Sequence, residues 1–481
     1  MDYASLFKFI VTKYKTCYKN ESYYSNIQLW LEWYKGNVKT FHQSRVINNG
    51  IVSLHKDVYG LKMARRVTKD WASAILADGV GIVVNSTNNR SSVFVQGRRM
   101  DGGVLGSNNF DEVLSTGLER MFALGTQAFT VELDSVITDE YGNILSSPNA
   151  QIRIKSYDAT RIIPLNYANG IIKDVAFFSS YCVGETEVYI ATVHVLEDDG
   201  YVIYNHIIND GRNIQTVVPG LLPVIRTKSF KPLFVIMKTN VSNNIDLDSP
   251  MGVSVYSDSI DVLQSVDLTY DAISEDVGTG KRIILMNKKL LCRDSDGKPI
   301  APQDVKQTYM YFYGDELDTQ TTPKDKDFIM EFTPQLRTES LCSTLQNQLN
   351  MLSANVGLGT KFYNFDISTG VTATEYVGER NDFARNVNKL KMSVQNGVKS
   401  LVSGILHMGV VTGRNVDEKA NVVVTISDGV IESDTEKRNQ DRQDVKDGFM
   451  SKLEYRMKWY GETEEEAEKS LSKINNVTQT S

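Results

Sequence analysis

Residues 333–360 read TPQLRTESLCSTLQNQLNMLSANVGLGT, and from Ser340 to Thr360 the stretch contains no charged side chain. Leu341, Leu345, Leu349, Leu352 and Val356 recur every three or four positions, which is one narrow apolar stripe on an α-helix. Thr333-Pro334 supplies a cap followed by proline at a first helical position, and Gly357 and Gly359 supply the stop. Gln346, Asn347, Gln348, Asn350 and Ser353 make the polar face, where an ordinary exposed helix carries Lys and Glu. Two readings stand side by side. Either the helix is packed between others and avoids unpaired charge, or the face meets a polyanion that has to slide past it.

A companion helix is expected upstream. Ser249-Pro250 opens it in the same way, and Tyr256, Ile260, Leu263, Asp267 and Tyr270 carry it towards Gly278. Between the two helices, residues 282–286, 289–293, 308–313 and 328–332 read as short strands, with a turn at Asp296-Gly297. The result is a small β-containing head on a two-helix stalk.

On the N-terminal side, residues 1–80 read as helices. Ile27, Trp30, Leu31 and Tyr34 mark one face, and Leu61, Ala64, Val67, Trp71, Ala74 and Ile75 mark another, with Gly79 as a stop. Strands begin at 81–84 and return after a helix at 110–124, where Asn109 and Glu112 have capping-box spacing and predict a capped start. From Thr126 to Met237 the text is β, at 129–133, 151–155, 188–195 and 201–208, with turns at Tyr141-Gly142-Asn143, Asn169-Gly170 and Asp199-Gly200. On the C-terminal side a loop over 357–370 gives way to a helix opened by Thr372 and Glu375 and reaching Leu406, then a strand at 422–426. Capping boxes at Ser433/Glu436, Ser451/Glu454 and Thr463/Glu466 mark short helices up to about Ile474. The fold class is α+β.

A chain of 481 residues has room for several cores, and 41% apolar with 23% charged residues is the balance of a folded protein. The 52 Lys+Arg against 59 Asp+Glu give a net charge of −7, which excludes nucleic-acid binding through a broad basic face but not passage of nucleic acid. Cys17, Cys182, Cys292 and Cys342 form no C-x-x-C pair, so neither a disulfide framework nor a zinc knuckle is encoded, and a reducing compartment is expected. Lys8 and Lys13 interrupt the apolar start, so no signal peptide is read there. No apolar run approaches the roughly 18 residues of a membrane span.

Motifs with chemistry are scarce. His42, His55, His194, His206 and His407 show no metal-ligand spacing, so no metal and no cofactor are expected. Gly278-x-Gly280-Lys281 fails as a phosphate loop, with Glu275 in place of the opening glycine and Arg282 in place of Ser or Thr. Asp294-x-Asp296-Gly297 fails as a calcium loop, because its glycine would put Cys292 at the first ligand position. Gly102-Gly103-x-x-Gly106 reads as a flexible loop, and no G-x-S-x-G occurs. No enzymatic activity is expected. The head is unevenly charged: Lys281, Arg282, Lys288, Lys289 and Arg293 are followed by Asp315, Glu316, Asp325, Asp327 and Glu331, as a solvated hairpin or a docking surface would be.

Several stretches in order along the chain carry a resemblance. They are Trp33-Tyr-Lys-Gly36, Leu61-Lys-Met-Ala-Arg-Arg-Val67 with Asp70-Trp-Ala72, and Asp78-Gly-Val-Gly-Ile82. Further on come Asn243-Asn244, Ser249-Pro-Met-Gly-Val-Ser254, Asp267 with Tyr270-Asp271, and Thr372-Ala-Thr-Glu375. Met450-Ser-Lys-Leu-Glu-Tyr-Arg-Met457 and Gly461-x-Thr-Glu-Glu-Glu-Ala467 complete the series. Together they resemble the portal proteins of tailed bacteriophages, in the family found in phages of Gram-positive hosts.

The resemblance implies a non-enzymatic ring subunit at a capsid vertex, usually one of twelve, through which double-stranded DNA enters and leaves the capsid. It implies a wing at 1–248 and 372–430, stem helices at 249–277 and 333–356, a clip at 278–332, a tunnel loop at 357–371 and a crown at 431–481. Implied partners are further copies of the chain, the terminase large subunit, a head-to-tail adaptor, and the major capsid and scaffolding proteins, with no membrane. Candidate DNA-channel residues are Gln346, Asn350, Ser353, Lys361, Phe362, Tyr363 and Asn364, with subunit packing as the other reading of Phe362 and Tyr363. Candidate docking residues for terminase or adaptor are Lys288, Lys289 and Arg293. The main competing reading is another structural head or tail protein without a DNA channel. A hydrolase or transferase with a site assembled from distant residues is a third.

Overall fold

The computed structural model describes residues 3–16, 21–43, 45–48, 53–76, 79–86, 90–97, 102–145, 147, 149–183, 186–209, 212–213, 218, 220–280, 283–287, 295–296, 308–312, 329–332, 335–364, 373–426, 434–460 and 467–471. The chain divides into two compact units. One comprises Met1–Trp30, Val67–Val255 and Thr372–Ser481, the other Leu31–Arg66 and Tyr256–Val371.

The first unit is built round the helix Phe110–Leu124 and the strand Thr126–Asp134, joined at Gly125. That glycine sits at φ +85, a left-handed conformation that ends the helix without Cβ strain. Strand Thr126–Asp134 is the centre of an antiparallel sheet, flanked by Phe234–Lys238 and Gln151–Asp158. A second antiparallel sheet runs as a meander through Ile162–Ala168, Ile171–Val183, Thr186–Glu197 and Gly200–Asn209. Its first turn has both Asn169 (φ +51) and Gly170 (φ +73) left-handed, the two-residue hairpin that an Asn-Gly pair encodes. Aromatic side chains fill the interior. Tyr157 stacks on Phe177 at 4.9 Å between centroids, and Trp71 stacks on Phe122 at 5.5 Å.

The helix Ala373–Val411 lays one stripe into this core, with Val387, Leu390, Val394, Val398, Leu401 and Ile405 all buried. It runs past the expected end at Leu406 and stops where Gly413 takes φ +85. Strand Asn421–Ile426 then pairs antiparallel with Val80–Asn85, closing a loop of more than 300 residues.

The second unit holds the helices Ile260–Thr279 and Thr338–Asn355 with a mixed three-stranded sheet between them in sequence. Strand Ile283–Asn287 is central, parallel to Thr308–Phe312 and antiparallel to Ile329–Phe332. The expected strand at 289–293 and the turn at Gly297 lie outside the described residues.

Several local expectations are corrected. Arg45–Asn48 and Ser53–Lys56, within the stretch read as helical, are instead two strands paired antiparallel. The upstream stalk helix does not open at Ser249-Pro250 but at Ile260, after a short 3-10 turn at Ser257–Ser259. Met251, Val253, Ser254 and Val255 are instead a buried irregular segment whose backbone is satisfied from other elements. Gly252 N donates to Thr126 Oγ1 (2.9 Å), Val255 N donates to Phe122 O (3.0 Å), and Val253 O accepts from Thr239 Oγ1 (2.6 Å). These bonds replace the helical ladder that the local cap signal offered. The second stalk helix begins at Thr338, not at Thr333-Pro334, two residues that lie outside the described ones. Asn109 does not cap its helix; it stands at φ +47 with no side-chain cap bond. Gly103–Ser107 is a short helix and not a flexible loop, because the glycines at 97, 102 and 103 let two backbone segments touch.

Candidate channel-facing helix and loop

The helix Thr338–Asn355 has two uses for its uncharged polar residues. Leu349 and Leu352 are fully buried, and the amides beside them bond inward. Gln346 Nε2 donates to Asn350 Oδ1 (2.9 Å) and to Tyr363 O (3.1 Å), while Gln348 Nε2 donates to Ser265 Oγ (2.9 Å) on the helix Ile260–Thr279. Ser353 is buried and its Oγ donates to Asn350 O (3.0 Å) and Thr360 O (3.2 Å). Of the candidate channel residues on this helix, Ser353 is therefore sealed in the chain, and Gln346 and Asn350 are half-buried. The outward face is a different set: Ser340, Ser343, Asn347, Met351 and Ala354 are exposed, Met351 at 61%. The sequence carried a signal for it, since these positions lie opposite the Leu349 and Leu352 stripe.

After the helix the chain folds back on itself. Gly357 (φ +79) and Gly359 (φ +101) turn it, and Leu358 N donates to Ser353 O (2.9 Å). A side chain at either glycine would have to sit in the left-handed region, where only glycine is unstrained. The following residues present Lys361 and Phe362 outward, Phe362 at 43% exposure, while Tyr363 is buried and meets Phe362 edge-on at 5.1 Å. Asn364 N donates to Lys361 O (3.3 Å), closing a tight turn. Residues 365–371 of the expected loop, and the docking candidates Lys288, Lys289 and Arg293, lie outside the described residues.

Two contacts hold the helix Ile260–Thr279, one at the surface and one buried. Arg337 N donates to Asp276 Oδ2 (2.7 Å), and its guanidinium donates to Asp276 Oδ1 (3.2 and 3.3 Å), fixing the N-terminus of one helix against the C-terminal turn of the other. On the opposite flank, His42 Nδ1 accepts from Val38 N (2.9 Å), which places the ring proton on Nε2, facing Asp267 Oδ2 at 3.0 Å. Asp267 Oδ1 also accepts from Leu61 N (2.7 Å). Burial pushes the Asp267 carboxyl up from its ordinary range, and the His42 and Leu61 bonds oppose that. The His42–Asp267 pair, with the backbone amides of Val38 and Leu61 at its outer ends, is a staple between the 31–66 segment and the helix. Among the described residues no group of three or more His, Cys, Asp or Glu could hold a metal, and no helix is long and apolar enough to cross a membrane.

A family profile described as "Phage portal protein, SPP1 Gp6-like" matches residues 14–480. No curated protein matches the chain. Among solved structures it is similar to one described as "Neck of native GTA particle computed with C12 symmetry", at 12% identity and a TM-score of 0.39, over 82% of this chain and 88% of that one. A score that low bears no weight. The profile covers both units and nearly the whole chain, and the mixed helix-and-sheet architecture is the α+β fold expected of it, so this chain belongs to the SPP1 Gp6-like family of phage portal proteins.

Proposed function

We propose that the chain is the subunit of a closed ring, of twelve copies as the family resemblance implies, seated at a capsid vertex and enclosing a channel for double-stranded DNA. The observation that supports this best is the uncharged outward face that Thr338–Asn355 presents from Ser340 onward, with Ser343, Asn347 and Ala354 exposed and no charged side chain from 340 to 360. Each Lys or Arg paired with a phosphate adds salt-sensitive grip. A wall of small neutral groups bonds weakly and exchanges partners readily, which suits a rod that must slide. A net charge of −7 on every copy keeps DNA off most of the remaining surface.

In this reading 249–277, helical from Ile260, and 333–356, helical from Thr338, are the stem, and residues 278–332 are the clip. The loop over 357–371 is the tunnel loop, 1–248 and 372–430 form the wing, and 431–481 form the crown. Lys361, Phe362 and Asn364 are the loop residues presented to DNA, with Gln346, Asn350, Ser353 and Tyr363 holding the shape behind them. Lys288, Lys289 and Arg293 dock the terminase large subunit and later the head-to-tail adaptor. The protein itself performs no catalysis; the packaging motor is supplied by its partner.

Native mass measurement and electron microscopy of the purified full-length chain test this together. The expected outcome is a single closed assembly whose annulus admits duplex DNA. A monomer at all concentrations, or an assembly with no axial opening, supports instead a structural head or tail protein without a channel.

A further inference from the structure

The loops at the two ends of strand Phe234–Lys238 carry opposite chemistry. In the loop that enters it, Thr227 and Ser229 are buried and fastened. Thr227 Oγ1 donates to Tyr201 O (2.7 Å), Ser229 Oγ donates to Lys231 O (2.8 Å), and Ser229 O accepts from Tyr201 N (2.7 Å). Lys228, held at φ +54, and Phe230 and Lys231 are thereby turned outward, with Phe230 71% exposed. These three line a cavity of about 520 Å³ together with Leu233 from the same loop and Lys399 and Gly404 from the long helix. The rim thus holds three lysines over a partly apolar floor. The carboxylate on this rim, Glu418, is engaged by His407 Nδ1 at 2.9 Å.

The loop that leaves the strand is acidic and equally fixed. Asn243 Oδ1 accepts from Ile245 N (3.0 Å) and Asp246 N (2.9 Å), and its Nδ2 donates to Met251 O (3.1 Å). Ser249 N donates to Asp246 O (3.1 Å). This turn holds Leu247 out at 87% exposure between Asp246 and Asp248. Five strand residues at about 3.3 Å each put the loops on the order of 15 Å apart, at opposite ends of one strand. A subunit with its plug at one end and its socket at the other cannot fill its own socket. Successive copies in a head-to-tail ring can.

We propose that Leu247, flanked by Asp246 and Asp248, seats in the lysine-rimmed cavity of the neighbouring copy. The proposal rests on the ring reading above. Leucine covers the apolar floor while the exposed Asp248 carboxylate meets the lysine rim, so shape and charge both fix the direction of the contact.

The test uses the full-length chain. Lys399→Glu and Asp248→Lys each raise the concentration needed for half-assembly by about tenfold, and the two together restore it. In a chain whose four cysteines are changed to serine, Leu247→Cys with Phe230→Cys gives, on oxidation, a ladder of covalent multimers. Rings that assemble normally with no ladder and no effect of either charge reversal overturn the proposal and leave the ring reading standing. A parent chain that never assembles overturns both. Reversal at Lys399 that lowers duplex DNA retention without touching assembly assigns the lysines to nucleic acid and overturns the proposal as well.

Discussion

His194 lies at the middle of the meander sheet, wholly buried between Phe177 and Phe234 at 5.5 and 5.4 Å, and neither ring nitrogen has a hydrogen-bond partner among the described residues. Burial holds its imidazole down at about 4, against a nearby Glu132 that pulls the other way. In the unfolded chain the ring titrates near its ordinary value of about 6.5. Between those two values the unfolded chain binds a proton that the folded one refuses. Stability is therefore complete above about pH 6.5 and is lost as pH falls towards 4, by on the order of 2 kcal/mol at pH 5. His194→Leu, close in volume and without a group to protonate, is expected to raise the melting temperature more at pH 5 than at pH 7.5. An equal shift at both would show that protonation is not the source. Some pH dependence remains in that variant, because burial and Lys13 also hold His206 at about 4.

Elements differ in how far their own sequence governs them. The helix Lys452–Tyr460 starts with a reciprocal pair: Glu454 N donates to Ser451 Oγ (3.1 Å), and Ser451 N donates to Glu454 Oε2 (2.9 Å). No residue of this helix is buried, and the cap acts beside polar contacts to the helix Asp434–Asp447, where Asp441 takes Lys458 Nζ (2.6 Å) and Trp459 Nε1 (2.7 Å). Ser451→Ala is expected to cost about 1 kcal/mol, read as about fivefold faster amide exchange over 452–460 with no change elsewhere. Sequence spacing alone located this cap. The similar-looking pair Asn109 and Glu112 makes no such bond: Asn109 stands at φ +47, outside the extended region a capping residue adopts, and its neighbour Asn108 is tied to Val104 O, Ile152 O and Ile154 N. A cap motif states an opportunity, and neighbouring strands decide whether it is taken.

At the scale of the whole molecule, the proposed ring and channel make separate demands on the turn after Thr338–Asn355. Gly357 to Asn364 folds onto its own helix through Leu358 N, Thr360 O and Tyr363 O. Removing Lys361–Asn364 is expected to lower the DNA packaged per particle severalfold while native mass stays that of the intact ring. Loss of the ring itself would show that Phe362 packs against a neighbouring subunit instead of facing DNA.

What the sequence determined by itself is what nearest neighbours along the chain can enforce. The stripe of Leu349, Leu352 and Val356, the Asn169-Gly170 hairpin, the Ser451 cap, the uncharged stretch from Ser340 to Thr360 and the α+β class are all local patterns with local causes. What the tertiary structure decided rests on partners far apart in the chain. Gly252 and Val255 give up a helix for bonds to Thr126 and Phe122, His42 meets Asp267, and Asn421–Ile426 finds Val80–Asn85. It also divided the amide-rich helix, sealing Ser353 and exposing Asn347 and Met351. Spacing gives the period of a helix, but only packing chooses which of its faces is covered, because burial free energy is set by what arrives from elsewhere.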